Sequence, residues 1–263
     1  MLKIEVNHLT LNYGRNIVVR DISFALEPGC MTGMVGPNGC GKSTIIKAIS
    51  RVKTPDSGSI VFNGRDVTKI PHMELARMVG VVPQIPLLPS SFTAFEVVLM
   101  GRNPHLGLFQ SEGPLDVEIA RRAMESTRTT QLSSRRIGEL SGGEIQSVVI
   151  ARTLTQQTEA ILLDEPTSNL DVGRQIEVLD LIKDLCRKNG LTVGVSLHDL
   201  NLAVQYCDKL ILLHQGSIKA EGTPSQVVTQ DNVSAVYGAG SQVYEIDGGP
   251  AILPRAGVSF FQR

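Results

Sequence analysis

Residues Gly36-Pro37-Asn38-Gly39-Cys40-Gly41-Lys42-Ser43-Thr44 fit the pattern G-x-x-x-x-G-K-[ST]. Such a loop needs a strand before it and a helix after it. The short apolar run over 32–35 supplies the strand. The stretch 42–50 reads as a helix with Ile45, Ile46 and Ile49 on one face. Glycines let the backbone curl so that several N–H groups point at phosphate oxygens, and the helix adds its positive N-terminal end. Lys42 is placed to reach the β- and γ-phosphates, and the Ser43 hydroxyl to ligate Mg²⁺. The chain is therefore expected to bind a nucleoside triphosphate.

The rest of the pattern fits an α/β core. An apolar strand over 160–163 precedes a helix over 172–188, with Val178, Ile182 and Leu185 inward and a stop at Asn189-Gly190. A strand over 191–196, a helix and a strand over 210–213 follow. Apolar strands alternating with helices imply a parallel sheet covered on both faces. Residues 7–24 alternate like paired strands, and 60–62 continues that pattern before Asn63-Gly64. From about 88 to 157 the periodicity turns helical: Ile119, Ala120, Ala123 and Met124 share one face, and Ile145, Val148 and Val149 another.

Composition narrows the partners. The formal net charge is −1 over 263 residues, so nothing broad draws the chain to nucleic acid or anionic lipid. With no Trp and 4% aromatics, a base-stacking platform is not expected. Cys30, Cys40, Cys186 and Cys207 form no C-x-x-C pair and read as reduced thiols. A membrane span takes roughly 18 or more consecutive apolar residues, and the apolar runs here are far shorter. Any work at a membrane must go through a partner.

Two further segments carry chemistry. Leu162-Leu163-Asp164-Glu165 is a strand ending in two acids. A solvated turn is the ordinary reading of such a pair, but the phosphate loop demands a metal-binding acid on a neighbouring strand tip. Asp164 is thus expected to hold Mg²⁺ and Glu165 to accept a proton from the attacking water. Ser141-Gly142-Gly143-Glu144 is a capping box opening an amphipathic helix. A capping box has no need of two glycines, whereas a phosphate approaching the helix N-terminus does. If residues 36–44 already cradle one nucleotide, this second device must serve another, which implies a head-to-tail dimer. Gln84 stands at the junction of core and insertion, where it could sense Mg²⁺ or water. His198 follows a strand and could reach the γ-phosphate. Tyr13 is either packing or a stacking surface for adenine.

Taken in order, Tyr13, the loop 36–44, Gln84, Leu140-Ser141-Gly142-Gly143-Glu144, Asp164-Glu165, Ser168-Asn169-Leu170-Asp171 and His198 resemble the ATP-hydrolysing subunit of ABC (ATP-binding cassette) transporters. That resemblance implies an α/β P-loop NTPase (RecA-like) core with a parallel sheet, an antiparallel β subdomain and an inserted α-helical subdomain. The expected layout is a core over 1–87 and 158–240, a helical subdomain over 88–157 and a short extension over 241–263. It further implies Glu165 as base, His198 and Gln84 as its catalytic companions, and Ser43, Gln84 and Asp164 around the metal. Ser168 to Asp171 would communicate across the dimer, Asp171 foremost. A narrower resemblance rests on Met100-Gly101-Arg102-Asn103-Pro104-His105-Leu106-Gly107-Leu108, His198-Asp199-Leu200-Asn201, Tyr206-Cys207-Asp208 and Glu221-Gly222-Thr223-Pro224. These are similar to importer ATPases for iron–siderophore, haem and vitamin B12. In that subfamily an ATPase homodimer sits under two multi-helix permease subunits at the cytoplasmic face of the membrane, and a separate binding protein delivers substrate. The rival class is a soluble ABC ATPase with a soluble partner. One departure from the family stands out: Ile145 and Ser147 flank Gln146 where most relatives carry basic residues.

Overall fold

The computed structural model describes residues 1–254 apart from 108, 169, 239 and 247. Leu108 and Asn169 of the motifs above, and 255–263 of the expected extension, lie outside the described residues.

The chain opens with antiparallel strands β1 (Ile4–Tyr13) and β2 (Asn16–Leu26), then β3 (Met31–Val35) and α1 (Lys42–Ile49). Next come β4 (Ser57–Phe62), β5 (Arg65–Asp66), α2 (His72–Met78) and β6 (Val79–Val82). The helices α3 (Ala94–Leu99), α4 (Pro114–Ser126) and α5 (Gly142–Thr155) follow. The core then resumes with β7 (Ala160–Asp164), α6 (Val172–Asn189), β8 (Thr192–Ser196), α7 (Leu200–Tyr206) and β9 (Lys209–His214). Strand β10 (Ser217–Gly222), helices α8 (Pro224–Val227) and α9 (Gln230–Tyr237), and the hairpin β11 (Ser241–Ile246) and β12 (Gly249–Pro254) complete the described chain.

The six-stranded sheet runs β10-β9-β3-β8-β7-β6, parallel except for β10 at the edge. Its strands β3, β7 and β8 are buried at every position, because helices and a second sheet cover its two faces. Neighbouring residues therefore feed opposite cores, as the pleat requires. Met34 and Leu162 join the core that holds Ile45, Ile46 and Ile49 of α1. Val35 and Leu163 join the core that holds Val178 and Ile182 of α6. The first core also takes Ile4, Val6, Ile60 and Phe62 from the four-stranded sheet β2-β1-β4-β5. Helix α1 is thus wedged between two sheets, with the phosphate loop at its head.

Helices α3, α4 and α5 close around Val97, Val98, Ala120, Ala123, Met124, Val148 and Ala151. Removing a side chain such as Val148 from water contributes about 1.5 kcal/mol or more. The same α5 turns Val149 and Ile150 toward the sheet, so it joins the helical layer to the core. Arg102 ties the helical layer together. Its Nε donates to Asp116 Oδ1 at 2.8 Å, and its Nη1 donates to Thr155 O at 3.0 Å and Gln157 Oε1 at 2.9 Å. His105 Nε2 meets Gln156 O at 2.8 Å. The Gly101-to-Gly107 stretch therefore staples the start of α4 to the end of α5 within the insertion.

The C-terminal hairpin is pinned by two side-chain amides. Asn201 bonds both backbone groups of Ile252, at 3.1 and 2.8 Å. Gln230 donates to Ser241 O and accepts from Val243 N. No described helix is long and apolar enough to cross a membrane, and all four cysteines are free thiols.

Candidate active site

The parallel strands deliver their carboxyl ends to one edge, the place where open α/β sheets bind ligands. Strand β3 ends in the loop 36–44, β7 in Asp164 and Glu165, β8 in Ser196 with His198 two residues on, and β6 shortly before Gln84. A cleft of about 290 Å³ opens there, lined by Asn38, Gly39, Gly41, Lys42, Ser43, Thr44, Gln84, Glu165, His198 and also Val18 of β2.

Two glycines in the loop cannot be replaced. Gly36 has φ +147°, and a Cβ there would meet Leu213 O at 2.2 Å. Gly41, the residue capping α1, has φ +110°, and its Cβ would meet Val19 at 2.7 Å. Both positions exclude any side chain. Lys42 is 4% exposed, and its ammonium donates to Gly36 O at 2.7 Å and Pro37 O at 3.1 Å. It thereby lies across the loop that lines the cleft. Cys40 is buried beneath, and burial pushes its thiol pKa up despite the Lys42 charge.

The acidic pair is held from β8. Ser196 pairs with Asp164 in the strand register. Its hydroxyl donates to Asp164 Oδ1 at 2.8 Å and accepts from Glu165 N at 2.8 Å. Ser43 Oγ donates to the same Asp164 oxygen at 2.9 Å. Glu165 has φ +50°, a left-handed conformation that costs a non-glycine residue of order 1 kcal/mol or more. Its carbonyl accepts from Ser168 N at 3.1 Å and Ser168 Oγ at 2.9 Å, which fixes the turn. Its carboxylate is clamped between Gln84 Nε2 and His198 Nε2. Asp164, Glu165 and His198, expected together at the sheet edge, meet there, and Gln84, expected at the junction of core and insertion, joins them through Glu165. Ser196 and Val18 also belong to the site but carry no motif in the sequence. The signal for Ser196 in the sequence is a hydroxyl at the carboxyl end of a buried strand that is apolar from Val193 to Val195.

Ser43 hydroxyl, Asp164 carboxylate and the Gln84 amide oxygen form a set of hard oxygen donors, the kind Mg²⁺ takes.

Tyr13 stands apart from the cleft wall. It is half exposed at the end of β1, with the Lys53 ammonium 4.8 Å from its ring centre. Ser141 to Glu144 are also absent from the wall. They form the first turn of α5, where Ser141 caps the helix and Glu144 closes the box. Gly142 faces open space, and a Cβ on Gly143 would lie 3.2 Å from Leu170. This Ser141–Glu144 turn, the signature segment of the chain, therefore packs against the segment that follows Glu165. Asp171 caps α6, its Oδ1 accepting from Arg174 N at 2.9 Å.

A phosphate loop at the head of a buried helix, two acids on the adjacent strand tip and an inserted helical layer define a P-loop nucleotide hydrolase. The sequence family described as "ABC transporter" matches residues 19–168. The ferric enterobactin transport ATP-binding protein of Escherichia coli (strain K12) is 38% identical over 248 residues, covering 94% of this chain and 92% of that protein. Among solved structures, a transporter described as of metal-chelate type, in an inward-facing conformation, superposes with a TM-score of 0.83 at 28% identity over 97% of this chain and 98% of that one. A bacterial ABC transporter cassette described as dimeric gives 0.76 at 27% identity over 84% of this chain and 98% of that one. The chain belongs to the ABC transporter family and is one of its ATPases.

Proposed function

We propose that this chain powers the import of a metal chelate, such as an iron–siderophore, haem or cobalamin, as a homodimer that closes head-to-tail around two ATP molecules. What carries the proposal is the separation of two phosphate-binding devices in one chain. The cleft at 36–44 has its own glycine loop, lysine and acids, while Ser141 to Gly143 form an exposed helix N-terminus outside the cleft wall. A second copy, turned head-to-tail, gives each cleft the signature it lacks.

In the closed dimer the amides of residues 38–44 and Lys42 hold the phosphates of one ATP. Ser141, Gly142 and Gly143 of the other chain approach its γ-phosphate, with Glu144 completing their turn, and the Tyr13 ring faces the adenine. Ser43, Asp164 and Gln84 would hold Mg²⁺, which would supply positive charge against the phosphates. Glu165 draws a proton from water while His198 and Gln84 keep its carboxylate aimed. Asp171 and its loop pass the state of one site to the other across the dimer.

The chain is expected to sit at the cytoplasmic face of the membrane, held by two multi-helix permease subunits and served by a separate binding protein. Three exposed apolar side chains support a docking surface between Gln84 and about Gln110: Ile85 at 75%, Leu87 at 94% and Phe109 at 99% exposure. No role for nucleic acid is proposed.

The test is a pull-down of tagged Glu165→Gln protein with Mg²⁺-ATP from detergent-solubilised membranes, followed by mass spectrometry. A polytopic membrane protein in equal amount is expected. Recovery of soluble partners alone, with no membrane protein enriched over a Lys42→Ala control, would place the chain with the soluble ABC ATPases instead.

A further inference from the structure

The proton of the Ser141 hydroxyl is already committed. It goes to Glu144 Oε2 at 2.9 Å, and the Ser141 amide donates to the same oxygen at 2.8 Å. The Glu144 carboxylate thus sits on the N-terminal turn of α5, where any incoming phosphate would meet its negative charge. The sequence 140–151 contains no Lys or Arg to offset it. The offset comes from upstream: Arg135 Nη1 donates to Glu144 Oε1 at 3.1 Å, and Arg135 Nη2 donates to Glu139 O at 2.5 Å. The guanidinium therefore bridges the two sides of the signature turn, Glu139 before it and Glu144 after it.

The backbone under Arg135 is anchored as well. Its carbonyl accepts from Ala94 N at 2.9 Å and its amide donates to Leu132 O at 2.9 Å. Thr93 and Arg136 form an adjacent β-bridge. The cation is thus tied to the head of α3 and does not hang on a free loop. The Arg135 and Glu144 side chains are 42% and 26% exposed, so their pairing survives in part against solvent screening.

We propose that Arg135 is a positioning residue for the signature: it neutralises Glu144 and holds it in place when the Ser141 hydroxyl turns from Glu144 to a phosphate carried by a second copy of the chain. This rests on the head-to-tail reading above. Without Arg135, release of the hydroxyl would leave a carboxylate with a single amide partner facing a triphosphate. With it, Glu144 keeps two partners and the turn at Gly142 and Gly143 keeps its shape.

The experiment is sedimentation velocity of the full chain in a Glu165→Gln background with Mg²⁺-ATP, at low and high NaCl. Ser141→Arg is the control for the composite site. Arg135→Ala is expected to weaken ATP-dependent dimerisation. A partly exposed ion pair carries up to roughly fivefold in an equilibrium constant, and a closed dimer contains two, so the loss is up to about twenty-five-fold, shrinking as salt rises. Arg135→Lys, which keeps the charge but not the fork, should recover part of the loss. Adding Glu144→Gln to Arg135→Ala should recover most of it, because the uncompensated charge is gone. The ATP affinity of the monomer is read alongside, and a parallel loss there would mark a general structural effect and overturn the assignment. So would an Arg135→Ala protein that dimerises like its parent, or a double variant as weak as the single. If Ser141→Arg also leaves dimerisation intact, the head-to-tail reading itself fails. If Ser141→Arg abolishes it while Arg135→Ala does nothing, only the role of Arg135 falls.

Discussion

Ser196→Ala removes a single buried oxygen that serves both acids of the site. Ser196 is fully buried, so no water can replace its hydroxyl. The Glu165 amide, 2.8 Å away, would become an unpaired buried donor, at a cost of about 1–3 kcal/mol. Asp164 would lose one of two hydroxyl donors, and a bond to a charged group contributes about 1.5–3 kcal/mol. Ser43 still serves Asp164, so the two losses do not add in full, and about 2–4 kcal/mol of stability is the expected total. Glu165 would also lose the anchor beneath its left-handed backbone. A catalytic group shifted by about 1 Å can cost on the order of a hundredfold, so turnover should fall roughly ten- to a hundredfold at saturating ATP. Urea unfolding and steady-state phosphate release measure the two effects. A variant that loses less than about 0.5 kcal/mol and keeps turnover within about twofold would refute the idea that Ser196 holds the pair.

Glu165→Gln should cut hydrolysis by roughly 10²- to 10⁴-fold while leaving ATP bound, as read by single-turnover assays and nucleotide retention. Gly36→Ala should abolish nucleotide binding, since its methyl would enter the Leu213 carbonyl; titration with a fluorescent ATP analogue checks this. Arg102→Ala should lower the urea midpoint far more than Arg122→Ala, because Arg102 is buried with three acceptors and Arg122 holds one exposed partner on its own helix. Acid should weaken the helical layer. Asp116 is held below the usual carboxylate range first by the Gly113 amide and then by Arg102, and Glu144 by the amide and hydroxyl of Ser141. Groups with lowered pKa values stabilise the fold above their usual range and lose that contribution as pH falls through the folded values. The urea midpoint should therefore drop as the pH falls through and below the usual carboxylate range, and less so in a Glu144→Gln variant.

Much of this architecture is readable in the chain because its signals are local. The apolar runs that become β3, β7 and β8 announce a sheet covered on both faces, and the glycine loop fixes which strand leads to α1. The capping box at Ser141 and Glu144 lies within four residues and is found as written. Register is another matter. Ser196 meets Asp164 only because β7 and β8 align in one particular way, and nothing within either strand states that alignment. Arg102 finds Thr155 and Gln157 across more than fifty residues, so a stretch that looked like a family marker proves also to be a structural staple. Tyr13 shows the same gap: one face of its ring is met by Lys53, forty residues away. Phe109, apolar by sequence, stands almost fully in solvent with φ +67°.

The most direct test of a site shared between two copies is complementation by mixing. Lys42→Ala lacks a working phosphate loop, and Ser141→Arg lacks a working signature. Neither should hydrolyse ATP alone. Mixed, they can form a pair in which the loop of the Ser141→Arg chain faces the signature of the Lys42→Ala chain, and that one site is complete. Phosphate release should reappear in the mixture and peak at equal proportions. Wild-type turnover by Ser141→Arg alone, or a mixture as inactive as its components, would contradict the shared site.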